Sequence, residues 1–288
     1  GVDPFPKWGL TPEELASLRP DLIIARSSVM GRSGPRANYV GFGYTIGPAA
    51  GLNALSGFPD DPPVASCTAH PDYSCNPYHL LIAILAALHY RDRTGEGQLI
   101  DLSQHESTVV MNGAFILDHS INGNVPRPSA NRHPVFAPHG IYPSRGHDRW
   151  VALACETDDD WQRLAHRIER PDLANDPALA TAAGRHLAAD RIDAAIAAWT
   201  RRYTPHEAME LLQAAGIPAG AVQTAADLWR DPHLAARGKL IRLSHPELGQ
   251  VTVNGPSFCL SATPPAVRRP PLLGEDTEAV MRELLGMD

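Results

Sequence analysis

The segment "NPYHLLIAILAALHYRDRTGEGQLIDLS", Asn76 to Ser103, constrains the fold of this chain more than any other. It is a long apolar run with a start signal and a stop signal. Asn76 can cap a helix, and Pro77 suits a first turn, where a backbone N–H has no intrahelical partner. Arg91 and Arg93 fall near the far end, and Gly95 can adopt the left-handed conformation that closes a helix. The expectation is a buried helix followed by a strand, "QLIDLS". Upstream, "TPEELASLRPDLIIA" repeats the order: a helix opening at Thr11-Pro12 with Glu13 and Glu14 in its first turn, a stop at Pro20, then a short apolar strand. Helices feeding short apolar strands imply a doubly wound α/β layer.

Residues 31–66 are rich in glycine and proline and read as loops around one helix near "GPAAGLNALSG". "QHESTVVMNGAFILDHSI" reads as a further helix. From about Val135 the pattern changes to "RWVALAC" (strand), "TDDDWQRLAHRI" and "HLAADRIDAAIAAWTRRY" (helices), and "TPHEAMELLQAAGI", where Thr204 and Glu207 form a capping box. This is the pattern of a smaller α+β domain. The proline-rich "SATPPAVRRPP" leads into a last helix, "LLGEDTEAVMRELLGMD".

Hydrophobic residues make up 43% of the 288 and charged residues 20%, a globular balance. The formal charge of -7 disfavours wholesale nucleic-acid binding, which needs a concentrated basic face. Apolar runs such as "LLIAILAAL" are too short to span a bilayer, so no membrane partner is expected. Cys67, Cys75, Cys155 and Cys259 are scattered without a C-x-x-C pair, which favours a reducing cytoplasm over zinc or disulfides. "GRSGP" does not fit a serine-hydrolase elbow, and "TGEGQ" lacks the lysine of a phosphate loop. His133 and His139 are six apart on a proline-broken loop, so no metal site is expected.

One acid stands out. Asp72, in "AHPDYSCNPYH", lies between Pro71 and Tyr73 just ahead of the long helix. An Asx-turn is the routine use of an acid there. A carboxylate nucleophile beside a helix N-terminus, where unpaired N–H groups and partial positive charge hold an anion, is the functional use. The local pattern fits both.

The segment "DYSCNPYHLLIAILAALHYRDRTGEGQLIDLSQHE" resembles the central part of the family III CoA-transferases, also called the CaiB/BaiF family. The resemblance runs along nearly the whole chain, through "KWGLTPEEL", "GRSGP", "GFPDDPPV", "NRHPVFAPHGIYP", "GIPAGAVQTAADLWRDPHLAARG", "HPELGQVTVNGPSF" and "PLLGEDTEAVMRELLG". It implies an α/β fold, with a large Rossmann-like CoA-binding domain and a smaller α+β domain. Residues 1–130 would be the remainder of the large domain, 131–250 the small domain, and 251–288 a linker and helix returning to the large domain. It also implies an interlocked homodimer, or a heteromer with a related subunit. No cofactor is bound permanently: coenzyme A enters as acyl-CoA, and the second substrate is a carboxylic acid.

The family's nucleophilic aspartate falls on Asp72. It would attack the thioester carbonyl to give a mixed anhydride, which CoA thiolate opens to an aspartyl-CoA thioester. The acceptor carboxylate attacks that thioester, and CoA then adds to the new anhydride. Lys7 falls where relatives carry a basic residue contacting CoA, and Val40, Gly41, Phe42 and Gly43 fall on a segment lining its thioester end. One relative has a lysine at the position of Val40. Asn131, Arg132 and His133 fall at the hinge into the small domain, near the active site.

Two departures accompany the resemblance. The glycine run that shields intermediates in the branch acting on formate and oxalate is absent from the sequence, so that substrate range is not carried over. The opening strand and phosphate-facing turn of a Rossmann half are also absent, implying a cut-down chain or elements supplied by a partner. Two rival functions come with the family: an α-methylacyl-CoA racemase-like enzyme, and a non-catalytic subunit. The racemase branch uses a histidine where this chain has Phe42, and phenylalanine carries no proton.

Overall fold

The computed structural model describes residues 5–65 and 68–287; Cys67 lies outside them. In chain order the first elements are α1 (Pro12–Leu18), β1 (Ile24–Ser28), α2 (Gly43–Ala49), α3 (His70–Ser74), α4 (Asn76–Thr94), β2 (Leu99–Ser103), α5 (Gln104–Val109) and α6 (Gly113–Asn122). Next come β3 (His139–Pro143), β4 (Trp150–Ala154), α7 (Asp158–Arg167), α8 (Pro171–Ala174), α9 (Ala182–Leu187), α10 (Ala189–Thr200), α11 (Pro205–Ala214) and β5 (Ala219–Ala221). The chain closes with α12 (Ala225–Trp229), α13 (Pro232–Ala236), β6 (Leu240–His245), β7 (Gly249–Asn254) and α14 (Thr277–Leu285). Two compact units result: residues 1–140 with 181–187, and residues 141–180 with 188–288.

In the first unit, β1 and β2 pair in parallel with Ile24 opposite Leu99 and Ser28 opposite Ser103. A parallel pair needs a crossover, and α2, α3 and α4 lie in it. Thr11 and Glu14 open α1 with a reciprocal capping box: Glu14 N–H donates to Thr11 Oγ1 at 3.2 Å, and Thr11 N–H to Glu14 Oε2 at 2.8 Å. β1 begins at Ile24, so the first half of the apolar "DLIIA" leads into the strand. The parallel register with β2 decides where the ladder starts.

Three local expectations change in this unit. The helix expected near "GPAAGLNALSG" begins earlier, at Gly43, and a short 3-10 turn follows at Asn53–Leu55. Asn76 does not cap α4: Cys75 occupies the N-cap position, and the Asn76 side chain turns to tertiary partners instead. Nor is α4 buried throughout. Only Asn76 and Ala87 are buried along it, while Tyr78, Leu81, Ile82 and Leu85 are exposed. Its apolar residues occupy more than one face, and the neighbours α3, α5, β1 and β2 do not cover them all.

The second unit holds the larger hydrophobic core. Trp161, Leu164 and Ala165 of α7, Ile192 and Ile196 of α10, and Leu212 of α11 converge with Val151 of β4. β4 lies between β3 and β5 and pairs antiparallel with β5, Val151 opposite Ala221. Capping boxes start α7 at Thr157–Asp160, α11 at Thr204–Glu207 and α12 at Thr224–Asp227. β6 and β7 form an antiparallel hairpin.

Candidate active site

Asp72 sits in the single helical turn α3, immediately before α4. Its side chain does not close an Asx-turn. Oδ2 accepts a 2.8 Å hydrogen bond from Gly43 N–H, 29 residues earlier, and Oδ1 accepts from Asn76 Nδ2 at 3.4 Å. Gly43 is the first residue of α2, so the N–H it donates is one that the helix itself leaves without a partner. The two units of structure that meet here are α2 and the α3–α4 joint.

The contact depends on an absent side chain. A Cβ on Gly43 would lie 2.6 Å from Ala69 Cβ and 2.7 Å from Ala69 Cα, well inside contact distance. Ala69, the N-cap of α3, is buried against this glycine. Phe42 caps α2 with extended backbone, and its N–H donates to Thr45 Oγ1 at 3.0 Å. Its ring is exposed and meets Tyr44 edge-on, with centroids 5.5 Å apart.

Asn76 was not anticipated as part of this site. It is 5% exposed, and while Nδ2 reaches Asp72, Oδ1 accepts from Ser107 Oγ of α5 at 2.5 Å. Its side chain links the carboxylate to the next helix. The sequence signal for Asn76 was ambiguous, because asparagine ahead of Pro77 also fits a cap. Asp72 itself is half-buried and forms no ion pair with any described residue. A cleft of about 310 Å³ opens beside its chain neighbours His70 and Pro71. An unpaired carboxylate fixed by two donors beside a cleft can act on a carbonyl that enters it.

The structure places the remaining candidates elsewhere. Val40 is exposed and Gly41 half-buried on the approach to α2, in the same short segment as Gly43. Lys7 is exposed on the turn Phe5–Trp8 and makes no hydrogen bond or ion pair among the described residues. Asn131, Arg132 and His133 build a loop before β3, and no hydrogen bond joins them to Asp72. His133 Nδ1 accepts the N–H groups of Val135 and Phe136, each at 3.1 Å, and its ring stacks on Phe136. The Asn131 carbonyl lies 2.7 Å from His139 Nδ1. Among the described residues no group of three His, Cys, Asp or Glu is arranged to hold a metal ion, and no helix is long and apolar enough to cross a membrane.

The chain is 36% identical over 285 residues to a succinyl-CoA–D-citramalate CoA-transferase of Chloroflexus aurantiacus, covering 98% of this chain and 70% of that protein. It is 33% identical over 281 residues to the alpha subunit of a succinyl-CoA–L-malate CoA-transferase of the same species, covering 97% and 65%. A probable CoA-transferase of Mycobacterium tuberculosis is 33% identical over 290 residues, and the chain spans 36% of its length. The crystal structure of a CaiB/BaiF family protein from Brucella suis superposes with a TM-score of 0.86 at 28% identity, covering 97% of this chain and 72% of that one. The model of "CoA-transferase family III" matches residues 2–277, and with these relatives it shows that the chain belongs to that enzyme family and has its mixed α/β fold.

Proposed function

We propose that the protein moves CoA from an acyl-CoA thioester to a carboxylic acid, with Asp72 as the nucleophile. One observation carries this reading: the Asp72 carboxylate forms no ion pair among the described residues, is held by the Gly43 and Asn76 donors, and lies beside a cleft. An Asp72 oxygen attacks the thioester carbonyl and CoA thiolate leaves, giving a mixed anhydride. The thiolate then attacks the aspartyl carbonyl, releases the first acid as its carboxylate and leaves an aspartyl-CoA thioester. The acceptor carboxylate attacks that thioester, displacing the thiolate and forming a second anhydride. Thiolate addition to the acceptor's carbonyl gives the new acyl-CoA and restores Asp72. Each step exchanges one activated acyl bond for another.

The Gly43 N–H is the group that orients the attacking carboxylate, and it is placed to donate to oxygen as charge redistributes on the aspartyl carbonyl. The segment Val40–Gly43 would face the thioester end of CoA, with Lys7 meeting a phosphate and Asn131–His133 bordering the substrate. Residues 1–130 would carry the CoA-binding role, residues 131–250 the small domain and residues 251–288 the segment beyond it. Relatives named for D-citramalate and L-malate support small acids bearing a second carboxylate as substrates. Some relatives are named as alpha and beta subunits, and the exposed apolar residues of α4 fit assembly with a second subunit. Cys75, Cys155 and Cys259 are not joined in disulfides, which fits a reducing cytoplasm.

The test is covalent capture. Protein incubated with labelled acyl-CoA and then hydroxylamine should yield a modified peptide carrying Asp72. Uptake of solvent deuterium at the acyl α-carbon without that modification would point to proton transfer instead. Neither reaction would point to a silent subunit.

A further inference from the structure

We propose that the cleft beside Pro71 holds the far end of the acyl group, and that His70 with Asn53 selects an acyl group ending in a carboxylate. The inference rests on Asp72 being the nucleophile and adds to it the chemistry of the substrate's other end.

Leu52, Leu55, Pro71, Met111 and Phe115 form the apolar part of the cleft wall, which suits a short run of methylenes. Four polar side chains share the wall. Two are already engaged: Ser56 Oγ donates to the Leu52 carbonyl at 3.3 Å, and Asn112 Nδ2 to the Ala50 carbonyl at 2.6 Å. The other two, His70 and Asn53, are half-buried, and their side chains make no hydrogen bond among the described residues. Side chains without a protein partner on the wall of a largely apolar recess remain available to hydrogen-bond a ligand. An imidazole carries at least one N–H in every protonation state and a primary amide carries two, so a carboxylate is the complementary terminus.

The spacing sets the length of that ligand. Gly47, on the cleft wall, is one helical turn along α2 from Gly43, whose N–H holds Asp72. One turn is about 6 Å of helix axis. A four-carbon acyl chain is of about that length, so with its carbonyl at Asp72 its terminal carboxylate would enter the part of the cleft where Gly47 adjoins Asn53, whose Oδ1 lies 3.2 Å from where a Cβ at Gly47 would be. A volume of about 310 Å³ admits such a tail with room to spare.

Purified protein assayed with succinyl-CoA and butyryl-CoA tests this, because the two thioesters match in length and differ at the terminal carboxylate. The expected result is a kcat/KM that favours succinyl-CoA. In His70→Leu the succinyl-to-butyryl ratio should fall about tenfold or more, the size of a lost hydrogen bond to a charged group. His70→Gln keeps an N–H donor and should restore much of the ratio. A wild-type ratio near one, or a ratio that His70→Leu leaves in place, overturns the assignment while Asp72 stands as nucleophile. Absence of covalent labelling of Asp72 by both thioesters overturns the transferase reading instead. Calorimetric binding of succinate and butyrate then reads the cleft without turnover: succinate binding lost in His70→Leu upholds the assignment, and equal binding of the two acids refutes it.

Discussion

Gly43 N–H donates to Asp72 Oδ2 at 2.8 Å, joining the first residue of one helix to the acid that precedes another. The donor is a backbone group, so no side-chain substitution at position 43 other than proline removes it directly. What a substitution changes is the distance between α2 and α3. The carboxylate is positioned by the packing of two short helices, with the Ala69 methyl against a glycine that leaves room for it.

Gly43→Ala is therefore expected to damage the site through geometry. The added methyl must displace Ala69 or α2, costing about 1–3 kcal/mol of stability and lengthening the bond to Asp72. A combined record of Tm and kcat should show activity falling further than the stability loss accounts for. Full activity in a stable Gly43→Ala protein would remove this contact from the mechanism.

Asp72→Asn keeps the size and much of the polarity of the side chain while removing the proposed nucleophile. Turnover should fall by about 10⁴-fold or more, as when a covalent catalyst is deleted. Circular dichroism and Tm should stay close to those of the parent. Residual turnover near the parent rate would place the chemistry on another residue.

Asn76→Ala removes a donor to Asp72 and leaves Ser107 Oγ without one of its acceptors, although Ser107 also donates to the Gln104 carbonyl. A loss of about 1–2 kcal/mol in stability is expected. A roughly tenfold drop in kcat should accompany it, with KM for the acyl-CoA little changed. A change confined to KM would make Asn76 a binding contact instead.

Asp160 supplies a pH test that is independent of the site. Burial pushes its carboxyl up, but hydrogen bonds from the Thr157 and Glu156 N–H groups and the Thr157 hydroxyl, with the Arg163 guanidinium, hold it below the usual carboxylate value. A carboxyl lowered by folding stabilises the protein above its unfolded pKa of about 4, and that contribution is lost as pH falls through the lower folded value. Asp160→Asn should cost about 2 kcal/mol at pH 7. The gap in Tm between parent and variant should narrow as the pH is taken below 4. A gap independent of pH would mean that the side chain acts by packing alone.

Leu164→Ala tests where the second unit keeps its stability. Leu164 is fully buried among Trp161, Ile196 and Leu212, and truncation should cost about 3 kcal/mol in chemical denaturation. A loss below 1 kcal/mol would show that the surrounding helices collapse onto the vacancy.

Much of this architecture could be read from neighbouring residues. The Thr204–Glu207 box forms as its spacing implies, and α1 opens after Thr11 as expected, because each start is closed within one helical turn. Gly95 ends α4 in the left-handed conformation for the same reason. The start of α2 was misplaced, since "GPAAGLNALSG" carries stronger local punctuation than "GFGYT" and the contact that fixes Gly43 lies 29 residues away. Asn76 fitted a cap by its position beside Pro77, but its carboxamide finds Asp72 and Ser107, partners that only packing brings within reach. The burial of α4 was overestimated because composition reports how apolar a helix is and not how many of its faces have neighbours.

The sequence by itself determined the helix boundaries set by capping residues, the α/β order of elements and the placing of an acid at position 72, all of which depend on hydrogen bonds and periodicities spanning a few residues. Tertiary structure alone decided that this acid meets the first N–H of α2, that Asn76 serves it rather than a helix end, and that a cleft opens at its side. Those relationships join segments tens of residues apart, and their distances are set by how closely helices pack, which no short stretch of chain encodes.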